Sequence, residues 1–158
     1  MGAETKRERA GAAIRAFRGE DVVPVTRILE RTPEAANWAA ESYREALSWP
    51  GVLALVCETE GKVCGFIIAR QVADEAEVLN LAVEPERRGK GEGGELLKKA
   101  LEELRARGAR RVFLEVRESN ETGIAFYAKR GLVKTGRREG YYREPEEAAV
   151  VMELKLTG

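Results

Sequence analysis

Val83-Glu84-Pro85-Glu86-Arg87-Arg88-Gly89-Lys90-Gly91-Glu92-Gly93-Gly94-Glu95-Leu96-Leu97 carries the chain from an apolar strand, through a basic and glycine-rich turn, into a long amphipathic helix. Glycines let the backbone expose its N–H groups with no side chain in the way. The start of a helix adds unpaired donors and the positive end of a dipole. Turn and helix together predict a site for a pyrophosphate.

Upstream of this turn, Glu75 to Val83 predicts one strand, and Val52 to Cys57 and Val63 to Gln71 predict two more joined at Glu60-Gly61. Further back lie a short strand at Ala12 to Phe17, a helix at Glu20 to Arg31 stopped by Thr32-Pro33, and a helix at Ala35 to Trp49 ended by Pro50-Gly51. Downstream, Leu96, Leu97, Ala100, Leu101 and Leu104 form the apolar stripe of a helix over Gly91 to Arg107, closed by Gly108. A strand at Arg111 to Val116 follows. The helix at Asn120 to Arg130 is capped by Ser119 or Asn120 and closed by Gly131. Strands at Leu132 to Gly136 and Ala149 to Leu156 finish the chain, with Tyr141 and Tyr142 in a polar loop between them. Three consecutive strands with short turns predict antiparallel pairing, and the later strand-helix-strand unit predicts a parallel pair. The expected class is α/β with a mixed sheet, not a doubly wound one.

A chain of 158 residues, 44% hydrophobic and 34% charged, predicts a single domain, here over 12–158, with residues 1–11 as a charged, disordered tail. Lys plus Arg and Asp plus Glu are equal at 27 each, so bulk charge does not point to nucleic acid. No apolar run approaches the ~18 residues of a transmembrane helix. The first eleven residues have no apolar segment like that of a signal peptide, and Lys6 breaks a myristoylation motif at Gly2. The expectation is a cytoplasmic protein without membrane contact. Without histidine, Ser-His-Asp and Cys-His mechanisms are excluded. Two cysteines alone make no metal site. Cys57 and Cys64 are equidistant from the turn, so a two-residue hairpin places them opposite each other. In that compartment they are expected as reduced thiols.

The glycine turn admits two readings. Gly89-Lys90-Gly91-Glu92-Gly93-Gly94 satisfies the dinucleotide fingerprint, and Glu115 falls about 20 residues on, at the end of the next strand. That reading fails on spacing, because the fingerprint turn leaves its strand at once and here Val83 and Gly89 are well separated. Three hairpin-like strands precede the unit, and too little chain follows Glu115 for the rest of a doubly wound sheet. The same residues also read Arg88-x-x-Gly91-x-Gly93. In this form the turn resembles the pyrophosphate loop of the GNAT superfamily of N-acetyltransferases. Glu115-Val116-Arg117-Glu118-Ser119-Asn120 followed by Phe126-Tyr127-Ala128-Lys129-Arg130-Gly131-Leu132 resembles a run of the branch that acetylates ribosomal-protein alanine. Asp74 to Val83 is similar to that branch, and Tyr141-Tyr142 is similar to the tyrosine pair of N-terminal acetyltransferases. The resemblance covers roughly residues 13–156. Gly123, where the family prefers alanine, and Leu132, where it prefers phenylalanine, depart from it.

The resemblance implies a mixed, mostly antiparallel sheet of about seven strands with about four flanking helices and a splayed parallel pair of fourth and fifth strands. It implies acetyl transfer from acetyl-CoA to a protein N-terminal α-amine of the ribosomal-protein alanine type, by direct attack in a ternary complex, with CoA as product. Arg88, Gly89, Lys90, Gly91, Glu92, Gly93 and Gly94 then form the pyrophosphate site. Leu81, Ala82 and Val83 offer backbone to the pantetheine arm, which Asn120 and Tyr127 also approach. The carboxylate of Glu92 is expected to point outward and complement the helix dipole. Glu115 matches the branch's proposed base, Glu77 the base position of histone acetyltransferases, and bulk water is a third option. Tyr127 matches the general acid, and Tyr141 and Tyr142 with Glu77 flank the acceptor. An α-amine, with a pKa of about 7.7–8.0, needs far less help to lose its proton than a lysine at about 10.4. Acetylation of a small amine or antibiotic, and a non-catalytic acetyl-CoA-binding module, are the alternatives. The expected state is a monomer or weak homodimer.

Overall fold

The computed structural model describes residues 12–36 and 38–156, so the segment expected as a tail lies outside the described residues. The elements are β1 (Ala13–Ala16), α1 (Val22–Glu30), α2 (Ala40–Ala46), β2 (Val52–Thr59), β3 (Lys62–Val72), β4 (Glu75–Val83), α3 (Glu92–Ala106), β5 (Arg111–Arg117), α4 (Glu121–Lys129), β6 (Val133–Arg143) and β7 (Glu146–Lys155). Short 3-10 turns at Gly19–Asp21 and Pro85–Arg87 lead into α1 and the glycine loop. The seven strands form one sheet in the order β1-β2-β3-β4-β5-β7-β6. Every neighbouring pair is antiparallel except β4 with β5. This is the mixed sheet and parallel central pair that the sequence predicts.

Two apolar layers sandwich the sheet. Leu96, Leu97, Ala100 and Leu104 of α3 are fully buried against inward residues of β2 to β5 and β7. Each such leucine contributes roughly 1.5–3 kcal/mol by leaving water. On the other face, Val22, Val25, Ile28 and Leu29 of α1 and Tyr43 and Ala46 of α2 pack on Phe66, Ile68 and Val56. Phe17, Tyr43 and Phe66 stack and meet edge-on within 6.3 Å.

Three expectations are corrected. The helix expected over Ala35 to Trp49 runs only from Ala40 to Ala46. Its upstream part is held sideways instead: the Ala36 N–H donates to Asn80 Oδ1 (3.2 Å) and the Ala36 carbonyl accepts from Asn80 Nδ2 (2.8 Å). The loop expected to hold Tyr141 and Tyr142 is strand, because β6 extends to Arg143 and β7 begins at Glu146. As the sheet's outer strand, β6 is exposed at nearly every position and carries no alternation for a sequence reading to find. Cys57 and Cys64 are not direct partners. Cys57 faces Gly65 and Glu58 faces Val63, so Cys64 is the extra residue of a bulge. Both thiols are free and buried, with their sulfurs 2.9 Å apart.

Candidate active site

A second bulge shapes the centre of the molecule. Ile68 pairs with Asn80 and Ala69 with Val78, which leaves Leu79 without a partner on β3 and bends β4. β4 therefore pairs with β5 only at Glu75–Arg111, Ala76–Val112 and Glu77–Phe113, and from Val78 onward the two strands separate. The β4 backbone from Val78 to Val83, including Leu81, Ala82 and Val83, has no β5 partner. Backbone N–H and C=O groups along such an edge need a partner, and an extended ligand arm supplies one as an added strand would.

The glycine loop closes one end of this fork. Gly89 and Gly91 hold φ of +81° and +87°, and a Cβ at either would meet nothing within 4 Å. Gly91 is the residue before α3, so its left-handed backbone turns the chain directly into the helix start. Gly93 lies against Phe126 and Gly94 against the Arg130 guanidinium. The open space over the loop and the free donors of α3 fit a pyrophosphate. Lys90 is exposed at its rim. Arg88, expected to face the phosphates, is half exposed and pairs with Glu34 between α1 and α2.

Glu92 corrects its expectation. The side chain points inward, with only 3% exposure, and both oxygens accept from Arg87 Nε at 2.9 Å. Its carboxylate is engaged by Arg87. Glu92→Gln is expected to lower stability by ~1–3 kcal/mol, less than a fully buried pair because Arg87 still reaches solvent. Urea unfolding of the two proteins checks this, and equal midpoints would refute it.

The charged groups gather on one face of the fork. Val112, Leu114 and Val116 of β5 point to α3, so Glu115 points to the opposite face, as Glu77 does beside Val78. There the charge of Glu115 acts on Glu77. Glu115 Oε2 accepts from the Arg138 guanidinium of β6 at 2.8 Å, and the charge of Glu115 also acts on Tyr141. Burial, and then the charge of Glu115, hold the Glu77 carboxyl above the usual carboxylate range. Burial first, then Glu115, raises the Tyr141 phenol. Tyr141 and Tyr142 meet edge-on at 5.0 Å, with Arg138 over one ring and Arg117 over the other. Tyr142 is pushed up to about 12, first by burial and next by Tyr141.

Tyr127 belongs to the other layer, on α4, half-buried against the core cluster that contains α3 and edge-on to Phe126. Burial pushes its phenol well above the ordinary value, and the nearby Tyr142 adds to that, so it is a proton donor throughout the neutral range. Asn120 caps α4, its Oδ1 accepting from the Gly123 N–H at 2.9 Å. A Cβ at Gly123 would lie 2.5 Å from the Asn120 amide, so this glycine makes room for the cap. Two positioning residues went unmarked in the sequence. Asn80 is the one uncharged polar residue in a buried strand, a signal that asks for partners. Arg138, one arginine in a basic run, gives no such signal.

Fold, fork and glycine loop define a CoA-type acyltransferase, and comparison with known proteins names the family. The profile of the acetyltransferase (GNAT) family matches residues 23–132. The [ribosomal protein bS18]-alanine N-acetyltransferase of Salmonella typhimurium is 32% identical over 142 residues, spanning 82% of this chain and 96% of its own. A Bacillus subtilis relative is 37% identical over 142 residues, spanning 89% and 93%. Among solved structures, the ribosomal-protein-S18-alanine N-acetyltransferase of Escherichia coli superposes with a TM-score of 0.82 at 29% identity, over 93% of this chain and 96% of that one. Ard1 of Thermoplasma volcanium superposes at 0.86 with 28% identity, over 94% and 99%. The chain belongs to the GNAT family and is an N-acetyltransferase. Enzymes of this family use acetyl-CoA as donor.

Proposed function

We propose that this protein acetylates the N-terminal α-amine of a protein, of the ribosomal-protein alanine type, by direct attack on acetyl-CoA in a ternary complex. One observation carries the reading. The fork separates an acid pair on one face of the sheet from a phenol on the other, which is what an amine entering from one side and a thiol leaving on the other require. The relatives named for bS18-alanine acetylation support the choice of acceptor.

In this reading the N–H groups of Gly89 to Gly94, with Lys90 and, once it exchanges Glu34 for the phosphates, Arg88, hold the pyrophosphate, and Glu92 braces the loop through Arg87. Backbone at Leu81, Ala82 and Val83 pairs with the pantetheine arm, and Asn120 lines its path. Glu115, beside Glu77, takes the proton of the α-ammonium. Because an α-amine is already about a tenth neutral at pH 7, a modest base suffices. Tyr127 gives its proton to the departing sulfur as charge develops there. Tyr141 and Tyr142 flank the acceptor's first residues.

The test is mass spectrometry after incubation with acetyl-CoA and a mixed panel: an Ala-starting ribosomal peptide, an N-blocked lysine peptide, polyamines and aminoglycosides. Acetylation of the peptide α-amine alone is expected. Acetylation of the small amines alone would replace the proposal with a small-molecule enzyme. Absence of any product, with acetyl-CoA bound, would replace it with a binding module.

A further inference from the structure

Cys57 and Cys64 take no part in the proposed reaction, yet they are the chain's only two cysteines and their sulfurs lie 2.9 Å apart. Both are free thiols, 0% and 2% exposed. The bulge in the β2–β3 hairpin brings them together, because Cys57 pairs with Gly65 and Cys64 is the extra residue beside it. Gly65 leaves the Cys57 sulfur its place, since a Cβ there would stand 3.0 Å from it. The surroundings are not purely apolar. The Cys64 thiol donates to the Cys57 carbonyl at 3.4 Å, and the Thr59 hydroxyl lies 3.7 Å from the Cys64 sulfur. The exposed hairpin tip at Glu60, Gly61 and Lys62 is two residues from Cys64.

The thiol pair also stands behind the glycine loop. The Cys64 carbonyl accepts from the N–H of Glu84, the first residue after β4, at 2.8 Å, and Gly65 pairs with Val83. A Cβ at Gly65 would meet Val83 Cγ2 at 3.1 Å and one at Gly93 would meet it at 3.6 Å, so this side chain spans from the hairpin to the glycine loop. The charges of Glu92 and Arg87, which brace that loop, act on both thiols. A displacement at Cys64 is therefore passed by one hydrogen bond and one packed side chain to the donor loop.

We propose that Cys57 and Cys64 form a reversible dithiol–disulfide site, oxidised by a peroxide and reduced by a thiol, whose closure weakens the hold of the glycine loop on acetyl-CoA. This rests on the reading of that loop as the donor site and on nothing about the acceptor. The Cys57 thiol hydrogen-bonds to Cys64 and, with Thr59, holds Cys64 below the ordinary thiol range against the opposing effect of burial, whereas that bond and burial push Cys57 up. Cys64 is thus the first nucleophile. Its thiolate attacks one peroxide oxygen: an S–O bond forms, the O–O bond breaks, and the leaving hydroxide takes up the proton that Cys64 had lost. The Cys57 sulfur then attacks the sulfenic sulfur. The S–S bond forms, the S–O bond breaks, and the Cys57 proton leaves with the hydroxyl as a second water. The two sulfurs give up two electrons and the peroxide takes them. A thiol reductant reverses the step through a mixed disulfide. Closure draws the sulfurs inside their present contact. Cys57 is fixed in the β2–β3 ladder and Cys64 is the bulge residue, so the movement falls on Cys64 and reaches Glu84.

The wild-type chain is the probe. It is treated with hydrogen peroxide, denatured, alkylated and digested, and mapped by mass spectrometry. The expected product has lost two hydrogens, has no alkylated cysteine and yields one peptide pair joined at Cys57 and Cys64, all reversed by dithiothreitol. Fluorescence titration of the reduced and oxidised chains is expected to show the Kd for acetyl-CoA rising about threefold to tenfold on oxidation, the range for one disturbed hydrogen bond. The double variant Cys57→Ala with Cys64→Ala should show no such rise after the same treatment. Two thiols still alkylated after peroxide, oxygen atoms gained on one sulfur with no joined pair, an unchanged Kd in the oxidised chain, or an equal rise in the double variant would each overturn the proposal. If the reduced chain binds no acetyl-CoA, the donor-site reading fails instead, and the peptide map still decides whether the two thiols close.

Discussion

Tyr127→Phe is expected to lower kcat by about 10²–10⁴-fold, the range for loss of a positioned general acid. The argument starts from where the phenol stands. Tyr127 lies on α4 on the α3 side of the sheet, opposite the acid pair, so an amine arriving at Glu115 and a sulfur leaving toward Tyr127 do not compete for space. Burial keeps its proton in place far above neutral pH, which makes it a donor and excludes it as the base. Removing one hydroxyl leaves the ring, its contact with Phe126 and the helix cap at Asn120 unchanged, so the fold is expected to persist. Acetyl-CoA affinity should change by no more than about tenfold, the worth of one net hydrogen bond. Stopped-flow and steady-state kinetics with fluorescence binding of acetyl-CoA separate the two quantities. An unchanged kcat would remove Tyr127 from the chemistry. A kcat effect matched by an equal loss of donor binding would make it a binding residue only.

The sequence carried the fold wherever one local rule set the outcome. The glycine turn and the stripe of α3 were legible because positive φ and a 3.6-residue period each leave a residue-type signature. The strand at Glu75–Val83 was legible to the residue, since buried β-formers end abruptly at Glu84-Pro85. What escaped was decided at long range. α2 is short because a side chain 44 positions away binds the backbone before it, and no local pattern at Ala35 to Trp49 reports that. β6 was cut at Gly136 because an outer strand facing water on both sides reads as loop. The same distinction holds at the site. Glu115 and Tyr127 were visible through motif resemblance, whereas the inward turn of Glu92 and the hold of Arg138 on Glu115 depend on partners that only folding brings close.

Asn80→Ala is expected to cost ~2–4 kcal/mol, although its side chain touches no reacting atom. The carboxamide is 6% exposed and fully used: Nδ2 donates to the Ala36 carbonyl at 2.8 Å and to the Tyr43 hydroxyl at 2.9 Å, and Oδ1 accepts from the N–H groups of Ala36 and Leu81. Alanine leaves the Tyr43 hydroxyl buried without this partner, where an unsatisfied polar group costs most, and frees the chain at Ala36 from β4. For a domain of this size the loss corresponds to a fall in Tm of roughly 5–15 °C. Tyr43→Phe provides the control, since it removes one hydroxyl and leaves Asn80 bonded to Ala36; it should cost about 1 kcal/mol. The segment between α1 and α2 that Asn80 pins also carries Glu34, the partner of Arg88 in the glycine loop. Asn80 therefore ties the segment between α1 and α2, on the same sheet face as the acid pair, to the strand that would hold the donor. Loosening that tie should raise KM for the peptide more than the Kd for acetyl-CoA, because the β4 edge beyond the bulge keeps its pairing with β3. Equal stability of wild type and Asn80→Ala would show that water replaces the carboxamide, and a matched rise in both constants would place its effect on β4 itself instead of on that segment.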